Sequence, residues 1–265
     1  MLIEQRRNGD NMNILQQIIA HKKFEISQQK ARSEELDLSN LPPIRDFAAA
    51  LRVDSIALIA ELKHQSPSSG ILREKYNLLQ IAGIYQEGGA AAISVLTDQK
   101  YFGGRGEHIV MVREAVSLPI LRKDFILDPC QIAEARSLGA DAVLLIAAIL
   151  GPAELGSFLR HARELDLSCL VEAHTQGDVE KAVEAGADII GINNRDLSTM
   201  EVDVTTSLRL RELIPPGVIA VSESGIRTRE DVLRLEQAGF DALLVGSVLM
   251  SSADVAGAMR ELLGT

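Results

Sequence analysis

The sequence predicts an α/β fold, a single (β/α)8 TIM barrel carrying an N-terminal helical extension. Three observations predict it. Eight apolar runs start roughly 20 to 35 residues apart, each leaving room for one helix before the next. The runs are nearly continuous in apolar residues, as suits parallel strands covered on both faces. A glycine joint recurs just before a strand, at Gly88-Gly89-Ala90, Gly139-Ala140-Asp141, Gly186-Ala187-Asp188 and Gly239-Phe240-Asp241. Glycine there closes the preceding helix in the left-handed conformation. The competing arrangement, an open doubly wound sheet, carries a G-x-G-x-x-G turn after its first strand, and the first turn here has none.

Residues 1–50 stand outside the repeat and form the extension. Residues 1–11 are read as a disordered tail, and Met12 is a second candidate start. Ile14, Leu15, Ile18 and Ile19 fall at helical spacing, so a helix over residues 14–32 should lay its apolar stripe on the barrel wall. A polar stretch from Gln28 to Glu35 follows, Leu41-Pro42-Pro43 ends it, and Phe47 to Leu51 read as a short helix. The barrel occupies residues 51–265. Its strands are ALIAELK (57–63), AAISVLT (91–97), PILRKDF (119–125), AVLLIA (142–147), SCLVEA (168–173), IIGINN (189–194), VIAVSES (218–224) and ALLVGSV (242–248).

Composition narrows the function. At 46% hydrophobic and 24% charged, the 265-residue chain has an ordinary globular make-up. No apolar run reaches the roughly 18 residues of a membrane span, and the N-terminus lacks the apolar core of a secretory signal. A net charge of -10 and a pI near 5.1 argue against nucleic acid. Cys130 and Cys169 are read as thiols of a reducing cytoplasm rather than a disulfide framework. No Cys/His grouping has metal-ligand spacing, so no metal is expected. The expectation is a cytoplasmic protein, a monomer or weak homodimer, acting on a small molecule.

Barrels build their sites at the C-terminal strand ends, so polar residues should interrupt the runs there. They do. Glu61 and Lys63 end the first run, Arg122, Lys123 and Asp124 the third, and Glu172 the fifth. Asn193, Asn194 and Arg195 end the sixth, Ser222, Glu223 and Ser224 the seventh, and Gly246 and Ser247 the eighth. The fourth stays apolar and supplies a wall. Two lysines and two glutamates converging from three strands need one another, because buried charges need partners. Residues two apart share a strand face. Glu61 and Lys63 therefore point together, Lys123 and Phe125 face the pocket, and Arg122 and Asp124 form a structural pair under the helices.

Ser224-Gly225 and Gly246-Ser247 follow strands seven and eight, where barrels bind phosphate through backbone N–H groups. The glycine-rich stretch from Tyr101 to Gly106 lacks the Gly-Lys-Ser/Thr of a P-loop and is read as a mobile loop over the mouth. His64 and Asn194 are read as rim residues. His108 and His174 are given no role.

Five segments carry a family resemblance: IAELKHQSPSSG, AAISVLTDQKYFGG, LPILRKDFILDPCQIAEARSLGADAVLLIAAIL, VEAHTQGDVEKAVEAGADIIGINNRDL and VSESGIRTREDVLRLEQAGFDALLVGSVLM. With them the chain resembles the indole-3-glycerol-phosphate synthase family of tryptophan biosynthesis. The resemblance implies a carboxy-lyase without metal or cofactor, acting on 1-(2-carboxyphenylamino)-1-deoxyribulose 5-phosphate by ring closure, decarboxylation and dehydration. It implies Lys123 as general acid, flanked by Glu172 and Glu61, with Lys63, Asn193 and Ser224 as further catalytic positions. Arg195 would hold the carboxylate and Ser66, Gly225, Gly246 and Ser247 the phosphate. Phe102, Phe125 and Leu144 would line the aromatic pocket, with Glu223 beside them. The family's extension lies near the barrel mouth. Ser69, His64 and Cys130 depart from the family pattern. Two rivals remain: the sugar isomerase of the preceding step would place a Cys or Asp acid/base pair at strand ends where Glu61 and Lys63 stand, and a non-catalytic phosphoanion-binding barrel would bind without turnover.

Overall fold

The computed structural model describes residues 13–31, 38–39, 41–67, 70–73, 76–196 and 199–265. The expected disordered tail, Met12 and Ser69 lie outside the described residues. Eight parallel strands follow the eight apolar runs: β1 (Ala57–Leu62), β2 (Ala92–Leu96), β3 (Ile120–Lys123), β4 (Ala142–Ile146), β5 (Ser168–Ala173), β6 (Ile189–Asn193), β7 (Ile219–Glu223) and β8 (Ala242–Val245). Each pairs with its neighbours in sequence, and β1 closes on β8 with Ala57 opposite Ala242. Closure leaves no strand edge unpaired, and the open sheet is excluded.

The pleat divides the strand side chains between two cores. Ala57, Ile59, Leu121, Leu144, Leu170, Ile189, Val221 and Leu244 point into the barrel. Leu58, Ala60, Ile93, Ile120, Val143, Val171 and Ile190 point outward, beneath the helices. Each of the Val, Leu and Ile side chains contributes roughly 1.5–3 kcal/mol by leaving water, so a one-residue slip in any strand would exchange two filled layers. The helix-to-strand joints are built as expected, with φ of +81°, +87°, +78° and +86° at Gly89, Gly139, Gly186 and Gly239. At the other helix ends, Asp128, Thr175 and Thr228 each form a reciprocal cap with a residue three positions on.

Two helices precede the barrel. The short α2 (Phe47–Ala50) begins at Asp46, whose side chain accepts from the Ala49 N–H. Phe47 and Leu51 are fully buried and join the interior cluster beside Ala57, Ile189 and Ala242 at the strand starts. They plug the bottom of the barrel. The longer α1 (Ile14–Ala31) does not lie on the wall as its stripe suggested. Ile18, Lys22 and Ile26, one turn apart in sequence, are all buried. A buried ammonium must find carboxylates, and Lys22 Nζ lies 3.1 Å from Asp98 Oδ2 and 2.9 Å from Asp124 Oδ1. Those acids follow β2 and β3, so α1 is drawn over the mouth. Lys30 adds a second tie to Asp128 at 2.5 Å.

The loops at the mouth also differ from expectation. A two-residue hairpin, Gln65–Ser66 against Gly70–Ile71, follows β1 and is too short to show periodicity in sequence. The stretch read as a mobile loop begins in a helical turn, Gln99–Phe102, because the Asp98 side chain caps Tyr101 N–H and Gly103 ends it at φ +67°. Among the described residues, no helix is long and apolar enough to cross a membrane.

Candidate active site

The alternation that fills the barrel with aliphatic groups continues upward into charge. Glu61 stands two residues above Ile59, Lys123 above Leu121, Glu172 above Leu170 and Glu223 above Val221. All three carboxylates are at most 4% exposed. Lys123 Nζ donates to Glu223 Oε2 at 2.7 Å and to Glu172 Oε2 at 3.1 Å. Lys63, the first residue beyond β1, places Nζ 2.6 Å from Glu61 Oε2. The pocket floor therefore holds two ammonium groups and three carboxylates.

Burial alone would strip the proton from Lys123, but Glu223, Glu172 and Glu61 overcome it and hold the ammonium well above its ordinary range. Burial would raise Glu172, yet Lys123, then His174, and hydrogen bonds from Lys123 and Asn193 bring it below its ordinary value. Glu223 goes the other way. Burial, with the charges of Glu172 and Glu61, pushes it up to about 7 despite Lys123. Two carboxylates sharing one ammonium do not ionise equally. One stays charged, and the other sits near its midpoint at neutral pH.

Two glycines make room for these carboxylates. A Cβ at Gly191 on β6 would fall 2.2 Å from Glu223 Oε1, and one at Gly246 would fall 2.2 Å from Glu61 Oε2. Gly246 was singled out as a phosphate position, and the geometry gives it this second duty. Gly191 was not singled out, although it occupies an inward position in IIGINN.

All fifteen residues named from the sequence line one pocket at the C-terminal end of the barrel. Phe102 and Phe125 face each other across it with ring centroids 6.3 Å apart, and Leu144 and Ile146 of β4 form the apolar wall. Arg195, half-buried and held by a bond from Nη1 to the Met200 carbonyl at 3.0 Å, stands at one side. Ser66, Gly225, Gly246 and Ser247 stand at another, with Gly246 opening the helix Ser247–Ser251. Ser224 has φ +68°, a conformation uncommon for a residue with a side chain.

Asn194 is not a rim residue. It is 3% exposed, donates to Ser222 Oγ at 3.2 Å and to the Ser224 carbonyl at 3.0 Å, and accepts from Ser207 N–H at 2.9 Å. Its side chain pins the strained Ser224 turn from behind, which a polar residue in a loop-like stretch does not announce. His64 stacks on Tyr76 at 5.1 Å, outside the pocket lining. Arg122 and Asp124 do pair, at 3.3 Å, but Asp124 is not confined beneath the helices: it lines the pocket, because it also meets Lys22 of α1 over the mouth. The pocket residues missed from sequence include Ile14, Leu15 and Ile18 of α1 and, on the loops after β6 and β7, Met200, Val202, Ile226 and Arg227. The thiols take no part. Burial, with the Asp128 hydrogen bond, pushes Cys130 up to about 11, and burial pushes Cys169 up to about 12.

Comparison with known proteins gives the family. The family model "Indole-3-glycerol phosphate synthase" matches residues 15–262. An indole-3-glycerol phosphate synthase of Dehalococcoides mccartyi (strain CBDB1) is 48% identical over 259 residues, covering 94% of this chain and all of that one. A Streptomyces coelicolor relative, "Indole-3-glycerol phosphate synthase 2", is 46% identical over 255 residues, covering 95% and 99%. Among solved structures, a mutant tryptophan synthase alpha-subunit from Pyrococcus furiosus superposes with a TM-score of 0.61 over 79% of this chain and 98% of that one. At 18% identity it speaks for the barrel alone. The fold, the pocket and near-complete coverage at this identity have one consequence: the chain belongs to the indole-3-glycerol phosphate synthase family, the carboxy-lyases that close the indole ring in tryptophan biosynthesis.

Proposed function

We propose that Lys123 is the general acid of the ring closure. The observation that carries this is its seat: one ammonium, 2.7 Å and 3.1 Å from two buried carboxylates, on the floor of a pocket walled by Phe102, Phe125 and Leu144. When the aromatic carbon bearing the carboxylate attacks the ketone, the carbonyl oxygen gains negative charge. A positioned ammonium meets that charge with a proton. The paired carboxylates ensure that Lys123 arrives protonated.

The rest of the pocket then sorts by chemistry. Arg195 suits the substrate carboxylate, since a guanidinium can donate to both its oxygens. The phosphate lies at Ser66, Gly225, Gly246 and Ser247, where backbone N–H groups can approach closely. Lys63 and Glu61 form a second proton-transfer pair for the later dehydration, with Asn193 and Ser224 holding the reacting part of the substrate. We further propose that the protein works in the cytoplasm as a monomer or weak homodimer.

The test is a fluorescence assay of indole product with the carboxyphenylamino-deoxyribulose phosphate. Lys123→Ala should abolish turnover while substrate still binds. Wild-type-like turnover in that variant would remove the proposed acid. Comparing Lys63→Ala, with accumulation of the ring-closed intermediate that still carries its hydroxyl as readout, tests whether Lys63 serves the second half.

A further inference from the structure

Among the described residues, the cationic side chains lining the pocket are Lys63, Lys123, Arg195 and Arg227. Three of them are already engaged. Lys63 meets Glu61, Lys123 meets Glu172 and Glu223, and Arg195 donates to the Met200 carbonyl. Arg227 differs. It stands exposed on the loop between β7 and the helix Arg229–Gln237, and its guanidinium forms no ion pair among the described residues. Asp231, the nearest acid of that helix to face the loop, is occupied by the backbone instead. Its Oδ2 accepts from the N–H groups of Arg227 and Thr228 at 3.0 Å and 3.1 Å.

Those two bonds anchor the stem from which the Arg227 side chain leaves. At the other end of the same loop, Asn194 holds the Ser224 carbonyl at 3.0 Å. Gly225, two residues before Arg227, is one of the glycines of the phosphate site proposed above. Arg227 is also close enough to act on Arg195. Burial lowers Arg195 below its ordinary value, Glu61 opposes that, and the charge of Arg227 adds to the lowering. Two guanidinium groups therefore face one region of the pocket, and the substrate brings two anionic groups to it.

Charge decides which anion Arg227 takes. A phosphate carries about two negative charges at neutral pH. Ser66, Gly225, Gly246 and Ser247 offer hydroxyl and N–H groups but no charge, and buried carboxylates lie on the floor beneath them. A dianion in such a seat needs a cation. We infer that Arg227 is the cation of the phosphate site, a substrate-binding residue whose guanidinium donates to the phosphate oxygens alongside the backbone of Gly225 and Ser247. The planar fork of a guanidinium matches two phosphate oxygens at once. This inference rests on the reading of those residues as the phosphate site.

The test measures kcat and KM for Arg227→Gln and Arg227→Lys, with inhibition by two fragments of the substrate. Glycerol 3-phosphate carries the phosphate alone, and 2-aminobenzoate carries the aromatic carboxylate alone. For Arg227→Gln we expect KM and the Ki of glycerol 3-phosphate to rise about tenfold or more. Its kcat and its Ki for 2-aminobenzoate should stay near wild type, because a contact made equally in ground and transition states spares kcat. Arg227→Lys, which keeps the charge, should recover part of the loss. An unchanged Ki for glycerol 3-phosphate in Arg227→Gln overturns the inference and leaves the backbone phosphate site in place. A loss confined to 2-aminobenzoate overturns it too, and moves Arg227 to the carboxylate beside Arg195. Glycerol 3-phosphate that fails to compete in the wild-type protein would instead remove the phosphate site itself, and the inference with it.

Discussion

Gly246 and Glu61 compete for one volume: a Cβ at Gly246 would stand 2.2 Å from Glu61 Oε2 and 3.0 Å from Glu61 Cβ. Gly191 stands in the same relation to Glu223 Oε1, at 2.2 Å. Both glycines are packing partners of pocket carboxylates, and both can be tested by adding one methyl group.

Gly246→Ala should displace Glu61 from Lys63, and Gly191→Ala should displace Glu223 from Lys123. A misplacement of about 1 Å in such a site costs on the order of 100-fold in rate. The expected result is a folded protein with kcat lowered by that factor in each variant. Steady-state kinetics beside circular dichroism checks it, and wild-type kcat in both would show that the carboxylate positions do not matter.

Glu223 gives a pH signature. Its folded pKa, about 7, lies above the ordinary 4.5, so folding favours the neutral acid. That contribution is whole below about 4.5 and lost as pH rises through about 7. Glu223→Gln, neutral at every pH, should therefore gain stability relative to wild type on going from about pH 5 to about pH 9, by on the order of 3 kcal/mol. Chemical denaturation at the two pH values measures it. An equal difference at both would mean that Glu223 titrates as it does in water.

Lys22→Met keeps the length of the side chain and removes its charge. Asp98 and Asp124, buried beside it, lose their compensating ammonium. Breaking a buried pair from one side costs about 3–5 kcal/mol. Because α1 brings Ile14, Leu15 and Ile18 to the pocket, KM should rise more than kcat falls. A variant with unchanged KM and unchanged stability would show that the tie does not hold the helix.

Phe47→Ala tests the opposite end of the molecule. Phe47 is fully buried in the barrel interior cluster, and its truncation should cost about 3–5 kcal/mol. It does not itself line the pocket, so kcat per folded molecule should stay near the wild-type value. Urea denaturation and active-site titration together separate the two effects.

Much of this was legible in the residues because strand alternation is strict. Once Leu121 was assigned inward, Lys123 and Phe125 had to follow, and Arg122 had to turn beneath the helices. What escaped the sequence depended on partners distant in the chain. The seat of α1 at the mouth, which the family resemblance implied but its apolar stripe did not, follows from Lys22 meeting Asp98 and Asp124, and nothing local marks Lys22 as buried except its place one turn after Ile18. Asn194 read as a rim residue because its three partners lie on later segments. Gly191 carries no mark in sequence because the carboxylate it accommodates lies on the next strand.

The position of α1 has a consequence for how this enzyme can be altered. Its pocket is lined partly by barrel strands, which also carry the interior packing, and partly by a segment that precedes the first strand and is tied down by Lys22, Lys30 and the buried Ile18 and Ile26. A change of strand residue disturbs both chemistry and scaffold. Exchanging the leading helix, with Lys22 and its stripe kept, would reshape the ligand's apolar surroundings while the proton-transfer groups keep their places. Adaptation to a bulkier substrate can therefore begin outside the barrel itself.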